Sequence, residues 1–196
     1  MTRRRSVRLH LDLNTAPMMA GATHGRHRKD LIVLHETVSG DVRGLADIQA
    51  VERYLAGIGY GIHGMTDREG HTAWAVGLGD AIFYHCGGVN ERSIGIEQVF
   101  RGATNKPSDR LLWAVRDAEL RATARLIACA ARAWRIPLRY SDGDHAGVTS
   151  HWSVSQHHPE SQGHWDCHPV HLGGYYPALA VIRMARAYQA AGLRFG

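Results

Sequence analysis

The chain has 196 residues, 44% hydrophobic and 21% charged, proportions that predict a single soluble globular domain. No apolar run approaches the roughly 20 residues that cross a bilayer, and three widely spaced cysteines, Cys86, Cys129 and Cys167, exclude a disulfide scaffold. The net charge of +5 sits in residues 1–30, which hold seven Lys/Arg against two acids, whereas the remainder has 16 of each sign, so no specific nucleic-acid partner is implied.

Residues 1–29 read as a basic N-terminal arm, expected to dock loosely and to favour an anionic surface. Arg3, Arg4 and Arg5 precede a small-residue stretch at Ala20, Gly21 and Ala22, but Asp12, Asn14 and Pro17 interrupt the intervening region, so no signal peptide is expected. Residues 30–196 form the expected globular domain.

DLIVLHETVSG predicts a buried strand over Leu31–Leu34 that runs into a polar loop at His35. Leu45, Ile48, Val51, Tyr54 and Leu55 recur at helical spacing before Gly57, which marks a first helix. YGIHGMTDREGHTAWAVG reads as two strands around a turn at Asp67–Gly70, and RSIGIEQVF as a strand with Ile94 and Ile96 on one face and Glu97 on the other. Ser108 is placed to cap a long helix to Trp134, with Leu111, Leu112, Val115, Leu126 and Cys129 on its apolar face. A last helix spans Pro177–Ala191. Strands mixed with about three helices predict an α/β domain with a single mixed sheet.

The densest chemistry lies in SHWSVSQHHPESQGHWDCHPVH, where His151, His157, His158, His164, His168 and His171 accompany Asp166 and Cys167. A catalytic metal site needs three N, O or S ligands and an open position, commonly at strand ends. His35 and His151 each follow a short β-prone run, LIVLHET and AGVTSHW, so neighbouring strands ending at one level would join them. Spacing alone does not choose a third ligand: HExxH is absent and the Cys/His intervals match no zinc finger.

Four blocks, in order, resemble the type 2 N-acetylmuramoyl-L-alanine amidases, the family of phage endolysins and peptidoglycan-recognition proteins. LIVLHET is similar to the strand that ends in the first zinc histidine, and IHGMTDREGHTAWAV to the following hairpin. YHCGGVNERSIGIEQV resembles the segment leading into the strand with the catalytic glutamate. SHWSVS with GHWDCHP resembles the second zinc histidine and the closing His-x-Asp motif.

The resemblance implies that Zn2+ is held by His35, His151 and Asp166, with Cys167 as the alternative third ligand. Glu97 would act as general base and then acid, His164 would stabilise the oxyanion, and His63, His85 and Asn90 would face the substrate. The implied activity is hydrolysis of the amide between N-acetylmuramic acid and L-alanine in peptidoglycan. The implied setting is a phage endolysin made in the host cytoplasm and acting on the wall at lysis, its basic arm on anionic wall polymers or a membrane surface. A non-catalytic peptidoglycan-binding module and a bacterial autolysin or recycling amidase are the alternatives. The chain departs from the pattern in three places: Cys167-His168-Pro169 replaces the usual Pro-Gly, Ile62 precedes the hairpin histidine where some members have tyrosine, and the interval from His151 to Asp166 is long.

Overall fold

The computed structural model describes residues 7–18, 25–37, 43–100 and 109–196. Among these residues, a mixed sheet carries the fold. Its strands are β2 (Leu13–Asn14), β3 (Leu31–Glu36), β4 (Gly64–Thr66), β5 (Thr72–Trp74), β6 (Ser93–Gln98) and β7 (Gly147–Ser150), in the order β2-β5-β4-β6-β3-β7. The pair β4–β5 is antiparallel and the other neighbours are parallel. A separate parallel pair joins β1 (Val7–Arg8) to β8 (Leu193–Arg194).

Successive strand residues face opposite sides of the sheet, and the two sides bury different clusters. Ile32 and Leu34 of β3, with Ile94 and Ile96 of β6, pack against α3 (Asp117–Trp134) and α5 (Ala178–Ala190). Leu31 and Val33 face the other way, onto Cys86, Val89 and Val154 of α4 (His151–His157). On that same side, α1 (Leu45–Gly57) places Ile48 and Val51 against Ile62, Met65 and Phe83. The predicted β4–β5 turn is present, closed by the Asp67 carboxylate, which accepts the backbone N–H of Glu69 and of His71 at 3.0 Å each.

Three expectations are corrected. First, the strand expected to end at Leu34 continues through His35 and Glu36, so these neighbours project from opposite faces. Second, the long helix to Trp134 is two helices, α2 (Asp109–Ala114) and α3, and the expected cap Ser108 lies outside the described residues. The break turns Trp113 inward and sends the buried Arg116 side chain to the Val99 carbonyl at 2.7 Å, which leaves Leu111 and Val115 three-quarters exposed. Leu112 is also exposed. Third, residues 7–18 are not loosely docked. β2 extends the main sheet, Leu9 is buried, and the Asp12 carboxylate accepts the N–H of Thr72 at 2.8 Å.

Candidate metal centre

The register of the central strands assembles the centre. His35 on β3 stands opposite Glu97 on β6, and the face that carries Leu31, Val33 and His35 continues into Ser93, Gly95 and Glu97. Gly95 matters here because a Cβ would lie 2.3 Å from Ile62 Cδ1 and 2.9 Å from the His85 ring. Its absence lets His85 lie against the strand. One strand further, Ser150 ends β7 and caps α4 by accepting the N–H of Ser153 at 3.2 Å, which makes His151 the first helical residue.

Asp166 arrives on a loop tied at two points. Its carbonyl accepts the N–H of Trp152 at 3.1 Å, and the next N–H, from Cys167, donates to Glu36 Oε1 at 3.0 Å. Cys167 itself has φ 57°, in the left-handed region where glycine is favoured. Glu36 also accepts from Trp113 Nε1 at 3.2 Å and from the Tyr175 hydroxyl.

His35 Nδ1 and His151 Nδ1 each lie 3.2 Å from Asp166 Oδ2. The three ligand atoms fall within 4.8 Å of one another, and all three residues are buried. Each histidine is held from behind: His35 Nε2 meets His85 Nδ1 at 3.0 Å, His85 Nε2 meets Ser93 Oγ at 3.0 Å, and His151 Nε2 meets Ser161 Oγ at 2.9 Å. Donation outward from the His35 and His151 Nε2–H groups would leave both Nδ1 lone pairs facing Asp166 Oδ2, acceptor against acceptor, an arrangement that a shared cation would satisfy. This is the outer-partner arrangement of metal-bound histidines.

The electrostatics follow from burial around one carboxylate. Burial lowers His35 to about 4 despite its hydrogen bond to Asp166. For His151 the burial penalty is outweighed by the charge and hydrogen bond of Asp166, which bring it up to about 10. Burial, then the charge of Asp166, pushes Glu97 well above the usual carboxylate range. His164 stacks on His151 with ring centroids 3.7 Å apart, its Nδ1 is 3.8 Å from Asp166 Oδ1, and its side chain is half exposed. These groups line a cleft of about 550 Å³ whose walls include Tyr60, Tyr84, Trp165 and Glu160.

Other expected site residues are placed differently. His63 does not face the cleft: it is fully buried, Nδ1 accepts the N–H of Gly95 at 3.0 Å, and Nε2 pairs with the Ala81 carbonyl at 3.2 Å. The expectation of a substrate contact is therefore corrected to a core histidine, and burial lowers it to about 3. His85 lines the cleft but both its ring nitrogens are engaged, so it supports His35. Asn90 also lines the cleft, and its Oδ1 closes the loop by accepting the N–H groups of His85 and Cys86 at 2.9 and 2.8 Å. Cys167 is outside the cluster, with its sulfur accepting from Gln98 Nε2 at 3.4 Å. His158, His168 and His171 contact Asp144, Trp152 and Tyr140 respectively. Sequence reasoning missed Ser161, Glu160 and Glu36, since no local pattern marks a residue whose partner is distant in the chain.

A family model described as N-acetylmuramoyl-L-alanine amidase matches residues 25–169. The chain belongs to this amidase family. No curated protein sequence matches the chain, but solved structures share its fold. The Staphylococcus aureus hydrolase AmiA is 16% identical with a TM-score of 0.66, covering 96% of this chain and 88% of that one. The endolysin LysCS from Clostridium intestinale is 17% identical with a TM-score of 0.55, covering 93% and 99%. The PlyG catalytic domain is 13% identical with a TM-score of 0.58, covering 91% and 93%. The protein is thus an amidase with peptidoglycan as its substrate, and the matched span contains every member of the His35–His151–Asp166 cluster.

Proposed function

We propose that this amidase is zinc-dependent, cleaves the bond between the lactyl carbonyl of N-acetylmuramic acid and the nitrogen of L-alanine, and serves as a phage endolysin. The observation that carries the metal reading is the convergence of His35 Nδ1, His151 Nδ1 and Asp166 Oδ2 at the floor of the cleft, with the opposite ring nitrogens already held. A donor set of two imidazoles and one carboxylate suits zinc and leaves a position open toward the cleft. When bound, zinc would supply Lewis acidity to the scissile carbonyl and acidify water.

The remaining work falls to the chain. Glu97, buried beside the cluster, acts as the carboxylate that takes a proton from the attacking water as the C–O bond forms. It returns that proton to the alanine nitrogen as the C–N bond breaks. His164, exposed on the cleft side of His151, donates to the developing oxyanion. The products are a muramic acid carboxylate and a free peptide amine. The fold shared with an endolysin supports the lytic setting, and the basic residues 1–30 are assigned to anionic wall polymers.

The test is metal analysis joined to digestion of muropeptides. The wild type is expected to hold one zinc and to release L-alanine amine. His35→Ala is expected to lose both, and Glu97→Gln to keep zinc while kcat falls by about 10²–10⁴. A wild type without zinc that still releases amine would end the metal reading.

A further inference from the structure

The acids and bases of residues 31–196 balance in number but not in place. Residues 120–141 and 167–196 contain eight arginines and no aspartate or glutamate, which leaves eight basic residues against 16 acids in the rest of that span. The two acid-free segments supply most of α3, the loop after it and α5, the layer packed on the sheet face opposite His35.

Three of these arginines meet there. Arg132, Arg135 and Arg186, with Ile136, Leu138 and Gln189, line a depression of about 510 Å³ between the end of α3 and α5. All three are exposed, no acid lines the depression, and among the described residues none of the three has a carboxylate partner. Two are steadied by backbone instead: Arg186 Nε donates to the Leu138 carbonyl at 2.7 Å, and Arg132 Nη2 donates to the Gln189 carbonyl. A guanidinium has five N–H donors, so each keeps most of its donors for another partner.

Arg135 stands there against a backbone preference. It ends α3 with φ 58° and ψ 35°, left-handed backbone that suits glycine, and Cys167 beside the metal cluster is the other non-glycine residue with positive φ among the described residues. The carbonyls at the end of α3 attract a cation, but Arg186 comes from α5, so that attraction does not account for a convergence of three. Like charges held together over strained backbone point to an absent counter-charge.

We propose that this depression is an anion site, separate from the cleft, that binds the phosphate groups of a phosphodiester-linked polyol polymer. Planar guanidinium forks match phosphate oxygens. The lining selects among phosphate carriers. No aromatic ring is present to stack a nucleobase, and a concave lining without an exposed large apolar side chain does not suit a bilayer surface. Bound on the layer opposite His35, a wall polymer of this kind holds the enzyme at the wall while the cleft stays open. The choice of a wall polymer rests on the amidase reading; the anion site does not.

Binding of poly(glycerol phosphate) tests it, measured on the full chain carrying Arg3→Ser, Arg4→Ser and Arg5→Ser so that the N-terminal arginines do not dominate. In that background Arg135→Gly is expected to weaken binding about fivefold and to flatten the log–log salt dependence by about 0.7. Its Tm is expected to be unchanged or raised, because glycine suits the left-handed backbone. Arg186→Gln keeps an N–H for the Leu138 carbonyl and is expected to weaken binding to a similar extent. Hydrolysis of soluble muropeptides is expected to stay at the wild-type rate in both variants, which separates failure of this site from failure of the amidase reading. Affinity and salt slope that neither variant changes would overturn the site. Phosphatidylglycerol vesicles or DNA binding as tightly as the polymer, with the same dependence on Arg135 and Arg186, would overturn the choice of ligand.

Discussion

His35 and His63 show how little a histidine's identity reveals about its use. Both are buried on the same side of the sheet, but His63 spends both ring nitrogens on backbone groups, whereas His35 spends one on His85 and aims the other at Asp166. The same test separates the neighbours Asp166 and Cys167. The carboxylate meets two imidazoles, and the thiol lies behind the centre against Gln98. Cys167→Ala is therefore expected to leave zinc stoichiometry unchanged, and Asp166→Ala to weaken zinc by at least about 100-fold, read by chelator competition. Residue types and strand ends made His35 and His151 legible, while the supporting Ser161 and Glu36 were not. Their partners, His151 and Cys167, become neighbours only after the chain closes on itself.

At the scale of elements, α1 carries an internal charge that the function does not explain. Glu52 is fully buried, neither carboxylate oxygen has a hydrogen-bond partner at ordinary distance among the described residues, and burial, eased by Thr15, raises it to about 8. A carboxylate raised in the folded state binds more protons folded than unfolded between pH 4.5 and 8, so stability falls as pH rises through that window. The cost is absent below about 4.5, complete above about 8, and on the order of a few kcal/mol. Glu52→Gln is expected to leave Tm nearly unchanged at pH 5 and to raise it by several degrees at pH 8, which thermal melts at the two pH values would read. Helical spacing identified α1 and most of α3. It misread Leu111, Leu112 and Val115 because the burial of Trp113 and Arg116 rotates α2 away from the face that periodicity alone selects.

For the whole molecule, both ends of the described chain are drawn into one body. β1 pairs with β8, and β2 closes one edge of the sheet. No helix among the described residues is long and apolar enough to cross a membrane. The excess charge therefore resides on a segment that is partly structural, and deletion of residues 1–28 would remove a strand along with the charge. Substituting Arg3, Arg4 and Arg5 by serine separates the two roles. If these arginines engage anionic wall polymers, wall lysis by the variant is expected to fall severalfold at low salt and to match the wild type at high salt, with hydrolysis of soluble muropeptides unchanged.

The sequence by itself determined the family, the alternation that buries the sheet, and two histidines at strand ends, because these follow from local order and period. Only the tertiary structure decided that Asp166 completes the cluster, that His63 is spent on backbone groups in the core while His85 buttresses His35, and that the turn Pro159–Ser161 forms one wall. The physical reason is that a ligand set is a convergence of side-chain atoms, and convergence depends on strand register and loop seating. Neither is encoded in the spacing of residues along the chain.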